Sequence, residues 1–216
     1  VSGTGSDTTG TGLAASPFRT ISRTIDLEPT TFFVGAGVYS TPEGETIPII
    51  LSAGQNLRKF GTGLATLEGP LTNNISLVSV GGSNVTIDGL TFKNFYPASG
   101  AVAYGINAAT YSTTTISSCE FNGGTASPAT GKNIAIVANP GGHVSLHNSI
   151  FYDAWIGVAV VNGGTVEARN NVFYNCYYGY VTGKDTGTTP SFAARNSIIS
   201  GANTALYDYY GSGGAI

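Results

Sequence analysis

Charge is what this sequence has least of. Only 10% of its 216 residues are Asp, Glu, Lys or Arg, against about a quarter in an ordinary globular domain. Nine basic residues against twelve acidic ones leave a net charge of −3, which offers no electrostatic footprint for nucleic acid or an anionic membrane. Methionine is absent and cysteine occurs twice. Two His and two widely separated Cys show no zinc-ligand spacing, and the glycine-rich stretches lack the βαβ context of a phosphate or dinucleotide loop. No cofactor is therefore expected. No apolar run approaches the ~20 residues needed to span a bilayer. Scarcity of charge does not mean disorder here, because Val, Ile, Phe and Tyr recur in regular alternation.

That alternation is the main positive signal. Residues 85–92, 114–121, 144–151, 166–173 and 192–199 repeat one pattern of inward and outward side chains. Each segment bends at its fifth position and ends on a large apolar residue: Phe92, Phe121, Phe151, Phe173 and Ile199. These final positions are 29, 30, 22 and 26 residues apart, the spacing of stacked coils in a solenoid. Further strands are expected at 75–80, 134–138, 158–161 and 179–182, separated by turns at Gly81-Gly82, Gly141-Gly142 and Gly163-Gly164. Two short strands around a bend, a turn, a third strand and another turn make an all-β, right-handed parallel β-helix. About seven or eight coils would build a rod of ~35–40 Å. Gly89, Asn148, Asn170 and Asn196 share the bend position, where a left-handed backbone is tolerated and an asparagine ladder can form.

The first thirty residues differ. Ser16 and Pro17 read as an N-cap and first helical residue, and Phe18, Ile21 and Ile25 follow at helical spacing. The organisation expected is an N-terminal extension with a short capping helix over residues 1–30 and one β-helix domain over 31–216. Cys119 and Cys176 belong to coils two steps apart, ~10 Å by strand spacing, which predicts two free, mostly buried thiols.

No catalytic constellation emerges. Asp88, Ser117, His147, Arg169 and Arg195 share one outward stack, Glu167 lies beside Arg169, and Asp153 aligns with Asn94 and Asn175. No two carboxylates fall at matching positions on adjacent coils, so neither a calcium cage nor a glycosidase pair is expected, and no metal or catalytic residue is assigned. His147 near Arg169 is the best enzymatic candidate. The aromatic residues point instead to interaction: Tyr152 and Tyr174 are a matched outward pair, Trp155 and Tyr177 are another matched pair, Tyr178 and Tyr180 follow closely, and the tail adds Tyr207, Tyr209 and Tyr210. Such rows on a low-charge surface suit protein contact or glycan stacking. Asn74 and Asn84 stand in N-glycosylation sequons.

The segments Gly5-Ser6-Asp7, Gly10-Thr11-Gly12 and Ser16-Pro17-Phe18-Arg19-Thr20-Ile21, with Gly35-Ala36-Gly37-Val38-Tyr39 and Ile47-Pro48-Ile49, carry a resemblance. Over roughly residues 3–61 the chain resembles a family of uncharacterised domains that open many extracellular right-handed parallel β-helix proteins. The resemblance implies an extracellular or cell-surface location and carries over no catalytic residue. The polar start at Val1 fits a mature exported chain, and no second cap is expected after residues 205–210. An uncovered coil end templates further β contact. The expected function is therefore a non-catalytic exported structural protein. It would self-associate head-to-tail as the protomer of a filament or surface layer. The alternative is a carbohydrate-active module, either a polysaccharide-binding domain or a pectate-lyase-like enzyme.

Overall fold

The structure, a computed structural model, describes residues 1–69, 75–97, 102–124, 132–184 and 188–209. The chain winds into a right-handed parallel β-solenoid of three sheets, each with seven strands. The first sheet comprises Thr31–Val34, Asn56–Lys59, Val85–Asp88, Thr113–Ser117, His143–His147, Thr165–Arg169 and Ser191–Arg195. The second comprises Gly37–Tyr39, Ala65–Glu68, Thr91–Lys93, Glu120–Asn122, Ile150–Tyr152, Val172–Tyr174 and Ile198–Ser200. The third comprises Ile49–Leu51, Ser76–Val80, Val102–Ala108, Lys132–Ala138, Ile156–Val161, Tyr178–Gly183 and Thr204–Tyr209.

The repeated alternation sets which side chains enter the core. Val144 and Leu146 are buried while Ser145 between them faces out, and Val166 and Ala168 repeat the pattern around Glu167. In the second sheet Phe92, Phe121, Phe151, Phe173 and Ile199 are register partners. The four phenylalanine rings stack with centroids 4.7, 4.7 and 4.5 Å apart. Coils of unequal length therefore keep one constant ring spacing.

The bend between the first two sheets forms as the sequence implies. Gly89, Asn148, Asn170 and Asn196 have φ of 74°, 51°, 56° and 50°, a region where short polar side chains and glycine are tolerated. Asn170 Nδ2 donates to Asn148 Oδ1 at 3.3 Å, continuing the ladder along the rod. A second ladder runs inside the same corner: Asn171 Oδ1 accepts from Ser149 N, and Ser149 Oγ accepts from Cys119 N.

The helix near the N-terminus is shorter than the sequence suggests. It spans Ile21–Ile25, and its N-cap is Thr20 rather than Ser16. The reason is competition for backbone groups. Residues around Ser16 are held in extended structure, with Ser6 N donating to the Pro17 carbonyl and Ser2 N to that of Phe18. Two distant carboxylates then take the free N–H groups at the helix start. Asp7 accepts from Arg19 N, Thr20 N and the Thr20 hydroxyl, and the buried Glu45 accepts from Ile21 N and Ser22 N. Ile21 is thereby seated fully in the core.

Partial burial of Asp7 raises its pKa, but the hydrogen bonds from Thr20 and Arg19 outweigh this and hold it below 3.8. A depressed carboxylate pKa stabilises the folded state above the unfolded value, and that stabilisation is lost as pH falls through the folded value. The cap is therefore expected to loosen below about pH 3.8. Amide exchange of Thr20 followed by NMR from pH 6 to pH 2 checks this, with Asp7→Asn as a control that should lose the transition.

Candidate functional site

The third sheet departs from simple alternation. Ile106, Ile136, Val158 and Tyr180 pair in register and are buried in the main core. The residues just before them, Gly105, Ala135, Gly157 and Gly179, hold an equivalent place and are small. A Cβ on Gly157 would lie 2.5 Å from the Phe173 ring and 2.7 Å from the Gly179 carbonyl oxygen, so this row of small residues makes room for the phenylalanine stack. The chain steps one residue there, and Ile134 and Ile156 face outward. With Val137, Ala159 and Val181 they form a second apolar cluster, separate from the main core. The uninterrupted runs 134–138 and 156–161 are the sequence signal for a strand buried on both faces.

The aromatic candidates gather at the rim of this cluster. Trp155 and Tyr178 pack against it and meet edge-on at 6.1 Å. Tyr177 meets Tyr178 edge-on at 4.7 Å, and Tyr178 stacks on Tyr207 at 4.8 Å. Lys132 Nζ stands 5.3 Å over the Trp155 ring. Trp155 and Tyr177 are at matched positions, as expected, but the ring that bridges this group is Tyr178. Its hydroxyl pKa is raised, first by desolvation and then by the neighbouring Tyr177 and Tyr207.

Tyr152 and Tyr174 are register partners on the outer face of the second sheet. Their environments differ. The Tyr152 hydroxyl bonds to Glu120 of the preceding coil, and burial together with that carboxylate pushes it up to about 12. Tyr174 stands 60% exposed. Beside them Ile150, Val172 and Ile198 form an aliphatic row, with Ile150 and Ile198 exposed. Tyr209 ends the last strand of the third sheet. Tyr210 and Asn74 lie outside the described residues. Asn84 is exposed in a left-handed turn.

One outward row of the first sheet carries several charged residues. Arg58, Asp88, Ser117, His147, Arg169 and Arg195 are successive register partners. Ser117 Oγ donates to Asp88 Oδ1 at 2.6 Å. Asp153 accepts from Asn175 Nδ2 at 2.6 Å. Among the described residues no three His, Cys, Asp or Glu side chains gather as a metal-ligating group. Cys119 and Cys176 are free and buried. Burial pushes their thiols up to about 12 and about 11, so neither supplies thiolate near neutral pH.

At the N-terminal end the helix and extension cover the first coil, with the Val1 amine donating to the Phe33 carbonyl and Gly35 N to the Val1 carbonyl. Beside them lies an open groove of about 780 Å³ that sequence reasoning missed, with Leu13, Pro17, Phe33 and Phe60 on its walls. Further along the rod Ser191–Arg195, Ile198–Ser200 and Thr204–Tyr209 are the last strands of their sheets among the described residues. They surround a cavity of about 260 Å³ lined by Tyr180, Phe192, Ala194, Ser197, Ile199 and Leu206. On one inward row Asp208 is the register partner of Thr182, whose hydroxyl donates to it at 3.0 Å.

Three parallel sheets, a stacked core and asparagine corners define a right-handed parallel β-solenoid. Residues 72–216 match the family described as the right handed beta helix region, and the chain belongs to that family. No curated protein matches the chain. No helix among the described residues is long and apolar enough to cross a membrane.

Proposed function

We propose that this protein is a non-catalytic structural β-solenoid, exported to the cell surface or exterior, that self-associates as the protomer of a filament or surface layer. The observation that carries the reading is the outer surface, where exposed Ile150 and Ile198 share a row with Val172 and the Tyr178 and Tyr207 rings stack beside a separate apolar cluster. Exposed apolar rows of this kind on a folded surface mark protein–protein contact. The low charge of the outer faces supports the same reading, because apolar rows such as Ile150, Val172 and Ile198 can be covered with little ion desolvation. Electron microscopy and light scattering across a concentration series test it. Mass that rises with concentration into filaments or sheets is expected, and a single monomeric mass throughout overturns it.

The second reading, a carbohydrate-active module, is favoured by the Trp155, Tyr178 and Tyr207 group, since stacked aromatic rings suit sugar faces. Trp155 is the sole tryptophan, so its fluorescence reports directly. A saturable change on adding neutral or acidic oligosaccharides would support this reading, and none would remove it.

A further inference from the structure

We infer that the N-terminal extension and the helix Ile21–Ile25 form an acid-opened latch, locked by Asp7 and Glu45, that releases from the first coil while the rest of the rod stays folded. The latch belongs to the single chain and needs no second copy. The cap is built as one piece. Its own main-chain bonds tie Gly5 to Ser2, Ser6 to Pro17, Gly10 to Ser6 and Thr11 to Ser16. A Cβ on Gly5 would lie 2.4 Å from the Phe18 carbonyl oxygen, and one on Gly10 would lie 2.2 Å from that of Ser6. These turns therefore pack at backbone contact. Asp7 then fastens the extension to the helix start through Arg19 N, Thr20 N and the Thr20 hydroxyl.

The grip on the rod is narrower. Glu45 is buried between the short helical turn Thr41–Glu43 and the strand Ile49–Leu51. It accepts from Ile21 N at 2.7 Å, Ser22 N at 2.8 Å and Thr46 N at 3.2 Å. Arg19, Tyr39 and Glu43 line the same small hollow. Arg19 pairs with Glu43 at 3.2 Å through half-exposed side chains, and Arg23 meets Asp26 at 3.8 Å. Glu45 makes no ion pair among the described residues, so backbone N–H groups hold its charge. The Tyr39 hydroxyl is pushed up to about 12, first by burial and then by Glu45, and stays neutral. Bonds to a charged acceptor are about twice as strong as neutral ones. Acid therefore weakens together the bonds from Arg19, Thr20, Ile21 and Ser22 N that fix the helix start. A five-residue helix is too short to persist alone. The joint is Glu28, whose φ of 52° strains a residue with a side chain; opening relieves it. Each coil contacts only its neighbours, so loss of the cap leaves the later coils intact.

Amide hydrogen exchange of the full chain, read by NMR and corrected for intrinsic rates, tests the latch. At pH 6 the amides of Ile21 and Ser22 should exchange at least about tenfold faster in D7N/E45Q than in wild type, while those of Leu146 and Ala168 stay within about twofold. Wild type should acquire the same pattern as pH falls below about 3.8, where Asp7 loses its charge. The double variant should show no further step there. E43Q, which loses only the half-exposed ion pair to Arg19, should behave as wild type. Equal protection of Ile21 and Ser22 in D7N/E45Q and wild type overturns the latch. Loss of protection at Leu146 and Ala168 along with the cap also overturns it, because cap and rod would then open as one unit. If the double variant does not fold, E45Q alone and the wild-type pH series give the same comparison with the same two overturning results.

Discussion

Phe151→Ala is expected to destabilise the rod by about 3–5 kcal/mol, the range for removing a buried phenylalanine ring. Phe151 is fully buried and lies between Phe121 and Phe173, with centroids 4.7 and 4.5 Å away and interplanar angles of 1° and 7°. Its neighbours cannot close the gap, since their positions are tied to hydrogen-bonded strands whose spacing is set by the backbone. The loss therefore includes a cavity as well as buried area. For a chain of this size the melting temperature should fall by roughly 6–20 °C. Because each coil contacts only its neighbours, the defect also interrupts coupling along the rod. Urea unfolding should show a lower midpoint and a broader or divided transition. A loss below about 1 kcal/mol would mean that the stack relaxes and that its regular spacing does not reflect tight packing.

Gly157→Val should be as damaging for the opposite reason. The added Cβ would meet both the Phe173 ring and a carbonyl oxygen of the next coil at 2.5 and 2.7 Å. Backbone cannot rotate away as a flexible side chain can, so the strand Ile156–Val161 must shift against its neighbours. Overpacking of this kind costs about 1–3 kcal/mol in ordinary cores, and the backbone clash places this site at or above the upper end. Valine is a good strand former at an open position, so local propensity predicts the opposite sign. Soluble yield and urea midpoint distinguish the two. A variant as stable as wild type would show that the small-residue row is dispensable. Gly157→Ala should show a smaller loss in the same direction.

These two sites differ in how far they could be read in advance. Phe151 was visible as the last position of a repeated segment, because a period of two assigns inward and outward faces without reference to the rest of the chain. Gly157 was not, since its constraint comes from Phe173, sixteen residues later in sequence and on another sheet. The same division holds elsewhere. The left-handed bends at Asn148, Asn170 and Asn196 followed from local steric preference. Thr20 as the helix cap did not, because Asp7 and Glu45 satisfy donors 12 to 24 residues away and leave Ser16 in extended structure.

By itself the sequence determined the solenoid: side-chain alternation, bend residues and coil spacing are local rules repeated along the chain, and repetition makes them legible. Tertiary structure alone decided how the surfaces differ. It placed an apolar cluster outside the third sheet, made Tyr178 rather than Tyr177 the bridge between Trp155 and Tyr207, and aligned Arg169 with Arg195 on the first sheet. The physical reason is that each of these depends on which coil lies above or below, and contacts between coils are set by register across 22 to 30 residues rather than by any neighbour in sequence.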